Sequence, residues 1–317
     1  MSEEAEKSRR GTVTISITTH NRSEDLVHTL RQLARLVPAP LEIIVCADGC
    51  ADGTQERVRT EFPQVRLLEN NPGRGSVYSR DRIIREARGE LVLSLDDDSY
   101  PVEDGFLGEV DQIFANDETL ALLTFPQRSD EFPESLTQAS FGESLVVGSY
   151  TSSGTVIRRS VYLSLSGFPE IFFHAYEEPD FTLQCVAADF RAVFYTGLTV
   201  RHHYSSAQRD EVRTHHRHAR NECWSVLMRC PLWAVPAMVL FRAVRQARYT
   251  AGRGWPWLRR EPQWWRAAAA GARAAWRLRA PVPWSAYWRW CRLMREPEPV
   301  AMRRPQDLSE THAESRS

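Results

Sequence analysis

Four short apolar runs, residues 13–18, 41–46, 65–68 and 91–95, recur with helix-period segments between them. The second and fourth are almost continuous in Ile, Leu and Val, as in strands covered on both faces of a parallel sheet. Between the runs, Leu26, Leu30, Leu33 and Val37 mark one helix face that stops at Pro38. Val58 and Phe62 mark a second face closed by Pro63, and Ile83 and Ile84 a third that ends at Gly89. Ser23, Glu24 and Asp25 suit the positive end of the first helix, and Asp52 offers a cap to the second. A helix near residues 103–114 leads to a strand at 120–125. Further on come a strand at 155–157, a helix near 180–188 and a strand at 192–195. This alternation with short connections predicts an α/β fold built on a doubly wound, mostly parallel sheet. Residues 127–150 lose the pattern and read as a long functional loop or an irregular antiparallel addition.

The fourth run ends in Asp96, Asp97 and Asp98. Open α/β sheets bind ligands at the carboxyl ends of their strands, and Asp48, at the end of the second run, opens on the same edge. Three adjacent carboxylates repel one another. A hard cation such as Mg²⁺ or Mn²⁺ relieves this, using one or two carboxylates together with substrate phosphates. Taken alone the motif also fits a solvated acidic turn; its weight comes from the ordered motifs around it.

The net charge of −1 hides a strong division. Residues 1–223 hold 35 acidic and 23 basic side chains, net −12, whereas residues 224–317 hold 6 and 17, net +11. All ten tryptophans lie at or beyond Trp224, and the only lysine is Lys7. The six cysteines lack paired CxxC spacing, which fits reduced thiols in a cytoplasmic protein better than zinc. Residues 1–10 have no apolar signal core, and the longest apolar stretch, residues 231–241, is too short to span a bilayer.

Further motifs follow in a fixed order: Thr18-Thr19-His20-Asn21-Arg22 after the first run, then Ala47-Asp48-Gly49-Cys50-Ala51-Asp52-Gly53-Thr54 after the second. Asn71-Pro72-Gly73 precedes the Leu95-Asp96-Asp97-Asp98 end of the fourth. Gly167-Phe168-Pro169-Glu170 precedes Glu177-Glu178-Pro179-Asp180. Over residues 12–205 the chain resembles the inverting, bacterial-type family 2 glycosyltransferases, which have the GT-A fold. The resemblance implies a nucleotide-diphosphate sugar donor, UDP- or dTDP-linked, and a divalent metal. It places Thr18, His20, Arg22 and Arg80 on the donor side, with Asp48 on the pyrimidine base. Asp96 would lie near the ribose and Asp98 on the metal, with Asp97 usable in either register. A histidine after the last sheet strand often reaches the metal or the diphosphate; His202 fits the spacing better than His203. Glu178 stands at the family's base position, where Asp is usual, and Asp180 is the second candidate. Ala47 replaces a second aspartate common in the family.

The carboxylate at the base position would take the acceptor hydroxyl's proton as that oxygen attacks the anomeric carbon. The acceptor class stays open among a glycan, a lipid-linked molecule and a secondary metabolite. A nucleotidyltransferase would need a glycine-rich phosphate loop after the first run, which Thr19-His20-Asn21-Arg22 does not supply. A catalytically silent nucleotide-sugar-binding or membrane scaffold is the alternative from another class.

The organisation read from sequence is a disordered tail at 1–10, a catalytic domain at 11–205, a helical Arg/Trp-rich extension at 206–302, and a disordered tail at 303–317. Tryptophan and arginine clusters in the extension suit a membrane–water interface, with core packing against the catalytic domain as the next reading, and residues 267–275 with Arg273, Arg277 and Arg279 suit an amphipathic helix. The expected location is therefore cytoplasmic, peripheral on the inner face of the plasma membrane. Nucleic acid is not expected as a partner, because no binding motif accompanies the arginines and the acidic first region repels a polyanion.

Overall fold

In the computed structural model, which describes residues 12–203 and 210–302, the four apolar runs lie side by side. The predicted tails at 1–10 and 303–317, and the boundary drawn at 205, fall outside the described residues. Strands β1 (Val13–Thr19), β2 (Glu42–Asp48), β3 (Arg66–Asn70) and β4 (Leu91–Asp96) form a parallel block in the order β3-β2-β1-β4. Helices α1 (Ser23–Leu33), α2 (Thr54–Glu61) and α3 (Ser76–Glu86) connect them. Successive strand residues point to opposite faces, which divides the core into two layers. Ile15, Ile17, Leu93 and Leu95 pack with Leu26 and Leu30 of α1; Ile44, Cys46 and Val92 pack with Ile83 and Ile84 of α3. Burying one such leucine contributes about 1.5–3 kcal/mol.

Ser23 does not cap α1, as it is the first helical residue. Asp52 does that work from the neighbouring loop: its Oδ2 accepts the Ser23 N–H at 3.1 Å and its Oδ1 accepts the Thr54 N–H at 3.1 Å. One carboxylate thus holds the starts of α1 and α2 together.

Beyond β4 come β5 (Ser99–Pro101), α4 (Phe106–Ala115), β6 (Leu120–Thr124), β7 (Gln127–Ser129), β8 (Leu145–Val146) and β9 (Thr155–Arg158). They are followed by α5 (Arg159–Ser164), α6 (Glu177–Ala187), β10 (Arg191–Phe194) and β11 (Val200–His202). The large sheet continues from β4 through β9, β6, β10 and β8. Within it, β9 and β8 run against the others, so the mostly parallel direction holds while β9 is inserted antiparallel between β4 and β6. This reversal brings the segment before Thr155 to the carboxyl edge, since Thr155 is in register with Ser94. A second sheet, β5-β11-β7, was not legible in the sequence, because its strands are three residues each.

The C-terminal part is helical: α7 (Glu211–Arg229), α8 (Val235–Gly252), α9 (Trp255–Leu258), α10 (Glu261–Arg277) and α11 (Trp284–Leu293). α11 packs on α6, and β12 (Glu298–Pro299) joins β8, so this part is fastened to the sheet. α10 lies against α7 through its small-residue face. Trp224 Nε1 donates to the Ala268 carbonyl at 2.8 Å, and a Cβ on Gly271 would sit 2.0 Å from Trp224 Cζ2. The predicted amphipathic segment is therefore a packing element on that face. The tryptophans divide: Trp224, Trp257, Trp264 and Trp290 are buried, whereas Trp233, Trp255 and Trp288 are exposed. Among the described residues, no helix is long and apolar enough to cross a membrane.

Candidate active site

Parallel pairing puts the ends of β1, β2 and β4 on one edge, with Thr18 in register with both Cys46 and Asp96. Two arginines reach into this edge. Arg22, at the turn before α1, donates to Asp97 Oδ1 at 2.7 Å and Asp98 Oδ2 at 2.6 Å. Arg80, buried on α3, donates to Asp96 Oδ1 at 2.7 Å and Glu177 Oε1 at 2.8 Å. The three aspartates thus escape mutual repulsion partly through guanidinium partners. Asp97 also accepts from Thr19 Oγ1 at 2.8 Å, and with Arg22 this occupies both of its oxygens. In this geometry Asp97 ties Arg22 and Thr19 to the carboxyl edge.

Asp48 also differs from the expectation of an open acceptor. Its carboxylate takes the backbone N–H of Arg74 at 2.8 Å, that of Gly75 at 2.7 Å, and Asn70 Nδ2 at 2.8 Å. These bonds make Asp48 the anchor of the 71–75 loop. Gly75 has a φ of 91°, and a Cβ there would lie 2.2 Å from the Phe173 carbonyl oxygen, so only glycine fits. His20 is exposed at the same edge, its Nδ1 donating to the Asp48 carbonyl at 2.6 Å.

Asp96, Asp98 and His202 each offer a ligand atom, and these atoms lie within 4.8 Å of one another. His202 arrives from β11, whose pairing with β5 sets His202 opposite Ser99. Its Nε2 lies 3.2 Å from Asp98 Oδ1. Two adjacent ligands of an octahedral ion at about 2.1 Å would be about 3 Å apart, so this spacing fits Mg²⁺ or Mn²⁺. The tautomer is fixed from outside. Gln127 Nε2 donates to the Ser153 carbonyl at 2.6 Å, which turns Gln127 Oε1 toward His202 Nδ1 at 3.0 Å. Nδ1 therefore carries a proton, which makes Nε2, facing the acidic cluster, the nitrogen that would bind an ion. Burial would raise the Asp98 carboxyl, but His202 and Arg22 outweigh it and hold it below its ordinary value. His203 points elsewhere, to Tyr100 Oη at 3.0 Å and Asp130 Oδ2 at 3.4 Å. Sequence reasoning named neither Gln127 nor Ser153; one glutamine in an irregular stretch carries no signal.

The first turn of α6 carries both base candidates, and the structure separates them. Glu178 keeps part of its surface open to a cavity of about 960 Å³ that also touches Asp96, His202 and Arg80. Ser152 Oγ donates to Glu178 Oε1 at 2.6 Å. Burial, then the neighbouring Glu177, push the Glu178 carboxyl up to about 7, against the pull of Ser152 and Arg80. That is a value suited to proton transfer near neutral pH. Asp180 is fully buried and accepts from Arg229 Nη2 at 3.0 Å, Ser225 Oγ at 2.6 Å and Gln184 Nε2 at 3.0 Å. It is corrected from candidate base to structural ion pair between α6 and α7, because no acceptor can reach it.

Comparison with known proteins decides the family. Residues 14–166 match the sequence pattern described as glycosyl transferase family 2. Those residues belong to that family. The uncharacterized glycosyltransferase YwdF of Bacillus subtilis (strain 168) is 26% identical over 195 residues, covering 56% of this chain and 69% of its own. The mannosyltransferase PcManGT from Pyrobaculum calidifontis, solved with GDP-Man and Mn²⁺, superposes with a TM-score of 0.53 at 18% identity. That match covers 85% of this chain and 84% of PcManGT. GalNAc-T7, solved with UDP, GalNAc and Mn²⁺, gives 0.56 at 12% identity over 71% of this chain, and the chain spans 49% of the GalNAc-T7 chain. These structural likenesses establish the GT-A fold.

The glycosyltransferase has a cavity wall that its family motifs do not foretell. Beyond Glu178 the lining comes from the C-terminal helices: Met238 and Phe241 on α8, and Trp284, Trp288 and Met294 on or just after α11. Some of the polar groups there are engaged. Arg242 pairs with Glu222 at 3.0 Å, and Trp290 Nε1 donates to the Gly148 carbonyl at 2.8 Å. The surface left facing the cavity is mainly apolar.

Proposed function

We propose that this glycosyltransferase moves a sugar from a UDP- or dTDP-linked donor to a hydroxyl borne on an apolar body, with inversion at the anomeric carbon. The observation that carries the reading is one cavity shared by the Asp96–Asp98–His202 cluster and Glu178, whose carboxyl burial and Glu177 push up toward neutrality. Thr18, His20, Arg22 and Arg80 lie along the donor edge, with Asp48 shaping the loop beside it. Asp96, Asp98 and His202 would hold a divalent ion whose charge offsets that of the departing diphosphate. Glu178 takes the proton of the acceptor hydroxyl while that oxygen forms the new bond to the anomeric carbon. The bond from that carbon to the diphosphate oxygen breaks in the same step, and no covalent intermediate on the protein is needed.

The apolar wall of Phe241, Trp284 and Trp288 favours a lipid-linked or aromatic acceptor over a bare glycan, which would need free hydrogen-bonding groups there. Leu232, Trp233, Leu240, Phe241 and Val244 leave an apolar face exposed on and before α8. This supports a cytoplasmic enzyme resting on the inner face of the membrane, with the helical extension as the contact. Residues 210–302 then form an acceptor-side module attached to the catalytic domain.

Calorimetric titration of UDP-, dTDP- and GDP-sugars, with Mn²⁺, with EDTA and on Asp98→Ala, tests the donor half. Binding of one donor that requires both the metal and Asp98 is the expected result. A well-folded protein that binds no donor overturns the reading.

A further inference from the structure

The face of α7 turned away from the catalytic cavity carries a second, chemically distinct site. His218 and Glu222 line the catalytic cavity, whereas Arg213, His216, Arg217 and Arg220 line a notch of about 240 Å³ closed by Arg260 and Trp264. Residues 218 and 220 are about 200° apart around the helix, so one helix serves two separate surfaces. Among the described residues, no carboxylate lines the notch.

Among the described residues, two buried polar atoms in it have no hydrogen-bond partner: His216 Nε2 and Trp264 Nε1. Their residues are 7% and 2% exposed. Buried polar atoms are seldom left unpaired, and with His216 protonated at Nε2 both would donate to a shared acceptor. The arginines are similarly uncompensated. Among the described residues, Arg213 and Arg217 make no ion pair, and Arg217 instead sits over the Phe173 ring at 5.0 Å. Arg220 donates to the Phe172 carbonyl at 2.9 Å and stacks on Trp224 at 4.4 Å. Arg260 alone has an acid, Asp210, at 2.9 Å. A wall of donors with net positive charge and almost no acceptors matches a compact oxyanion with several acceptor oxygens.

We propose that this notch is a phosphate-binding site, taking free phosphate or the phosphate of a phosphoester through Arg213, Arg217, Arg220, His216 and Trp264. A charge-assisted bond from each guanidinium and the two orphaned ring nitrogens would satisfy the phosphate oxygens together. The electrostatics agree: burial and the adjacent Arg217 bring the Arg220 guanidinium down to about 10, and burial and Arg213 lower Arg217. An anion in the notch would relieve both. The notch also adjoins the segment leading to Glu178, because Arg220 and Asn221 hold the Phe172 carbonyl and Asn221 also holds those of His174 and Ala175. The inference stands apart from the transferase reading, since no donor or acceptor group enters it.

The test titrates inorganic phosphate into the full-length protein at low ionic strength by calorimetry. In parallel, the protein is sedimented with phosphatidylglycerol/phosphatidylcholine vesicles and with phosphatidylcholine vesicles alone. Wild type is compared with Arg213→Gln, which alters an exposed side chain, with Arg217→Gln, and with Arg273→Gln as a charge-loss control on α10. Saturable phosphate binding that weakens about tenfold in Arg213→Gln and Arg217→Gln but not in Arg273→Gln supports the site. Phosphate binding without notch-dependent vesicle binding identifies a soluble phosphate or phosphoester. Vesicle binding that depends on Arg217 and is competed by phosphate identifies a lipid headgroup. If neither probe distinguishes the notch variants from wild type, or if Arg273→Gln weakens binding as much as they do, the proposal fails.

Discussion

The sheet region and the helical region use charge in opposite ways. In residues 12–203, ion pairs converge on the carboxyl edge, where Arg22 and Arg80 hold Asp96, Asp97, Asp98 and Glu177 in one small volume. In residues 210–302, several arginines reach backbone carbonyls at the ends of helices. Arg279 donates to the carbonyls of Leu227 and Cys230, both at 2.5 Å, and Arg289 to that of Val186 at 2.5 Å. The first arrangement concentrates charge where chemistry needs it. The second satisfies helix ends and ties segments together. The lesson is that the division of charge along the chain is not a docking code between two halves. Where the regions meet, one buried pair, Asp180–Arg229, joins them.

The comparison is sharpest within α6, where Glu178 and Asp180 sit two residues apart on different surfaces. Glu178→Gln removes the proton acceptor and leaves the shape, so the transfer rate should fall about 10²–10⁴-fold while calorimetric donor binding stays near wild type. Equal loss of donor binding would break the assignment of Glu178 to the acceptor side. Asp180→Asn leaves Arg229 buried without its counter-charge and should cost about 3–5 kcal/mol of stability, read as a lower midpoint in urea. Its remaining folded fraction should turn over normally; a purely kinetic defect would return Asp180 to the list of bases. In the helical region, Gly271→Ala should cost about 1–3 kcal/mol in thermal or urea unfolding, because its methyl group meets Trp224. Wild-type stability there would mean that α10 packs more loosely than the contact implies.

The smallest effect is on pH. With the Glu178 carboxyl at about 7, the ionised base grows as pH rises, so the rate should climb about tenfold per unit below 7 and level above it. Glu177, Tyr150, His174, His218 and Arg80 surround the same carboxyl, whose value is set first by burial and then by the Glu177 charge, against Ser152 and Arg80. Glu178→Gln should flatten this limb of the profile. An unchanged limb would assign the titration to Glu177, His174 or His218.

Local pattern alone determined much of this protein. Apolar runs separated by helical spacing placed β1 to β4 and α1 to α3, because periodicity and turn residues act over a few positions. The same local reading delivered Asp48 and Asp96–Asp98 to one edge, whereas Glu178 stood out only through the family resemblance. What only the tertiary structure decided depends on pairing between distant segments. The antiparallel insertion of β9 brings Ser152 against Glu178, and the β5–β11 pairing sets His202 rather than His203 beside Asp98. The choice between Glu178 and Asp180 follows from which side α7 covers, with Arg229 reaching across 49 residues to seal one carboxylate. Asp48 likewise became a loop anchor only once Arg74 and Gly75 folded back onto it. Sequence spacing fixes which way a side chain leaves its own strand or helix; whether it meets solvent, a cavity or a buried partner depends on the element packed against it.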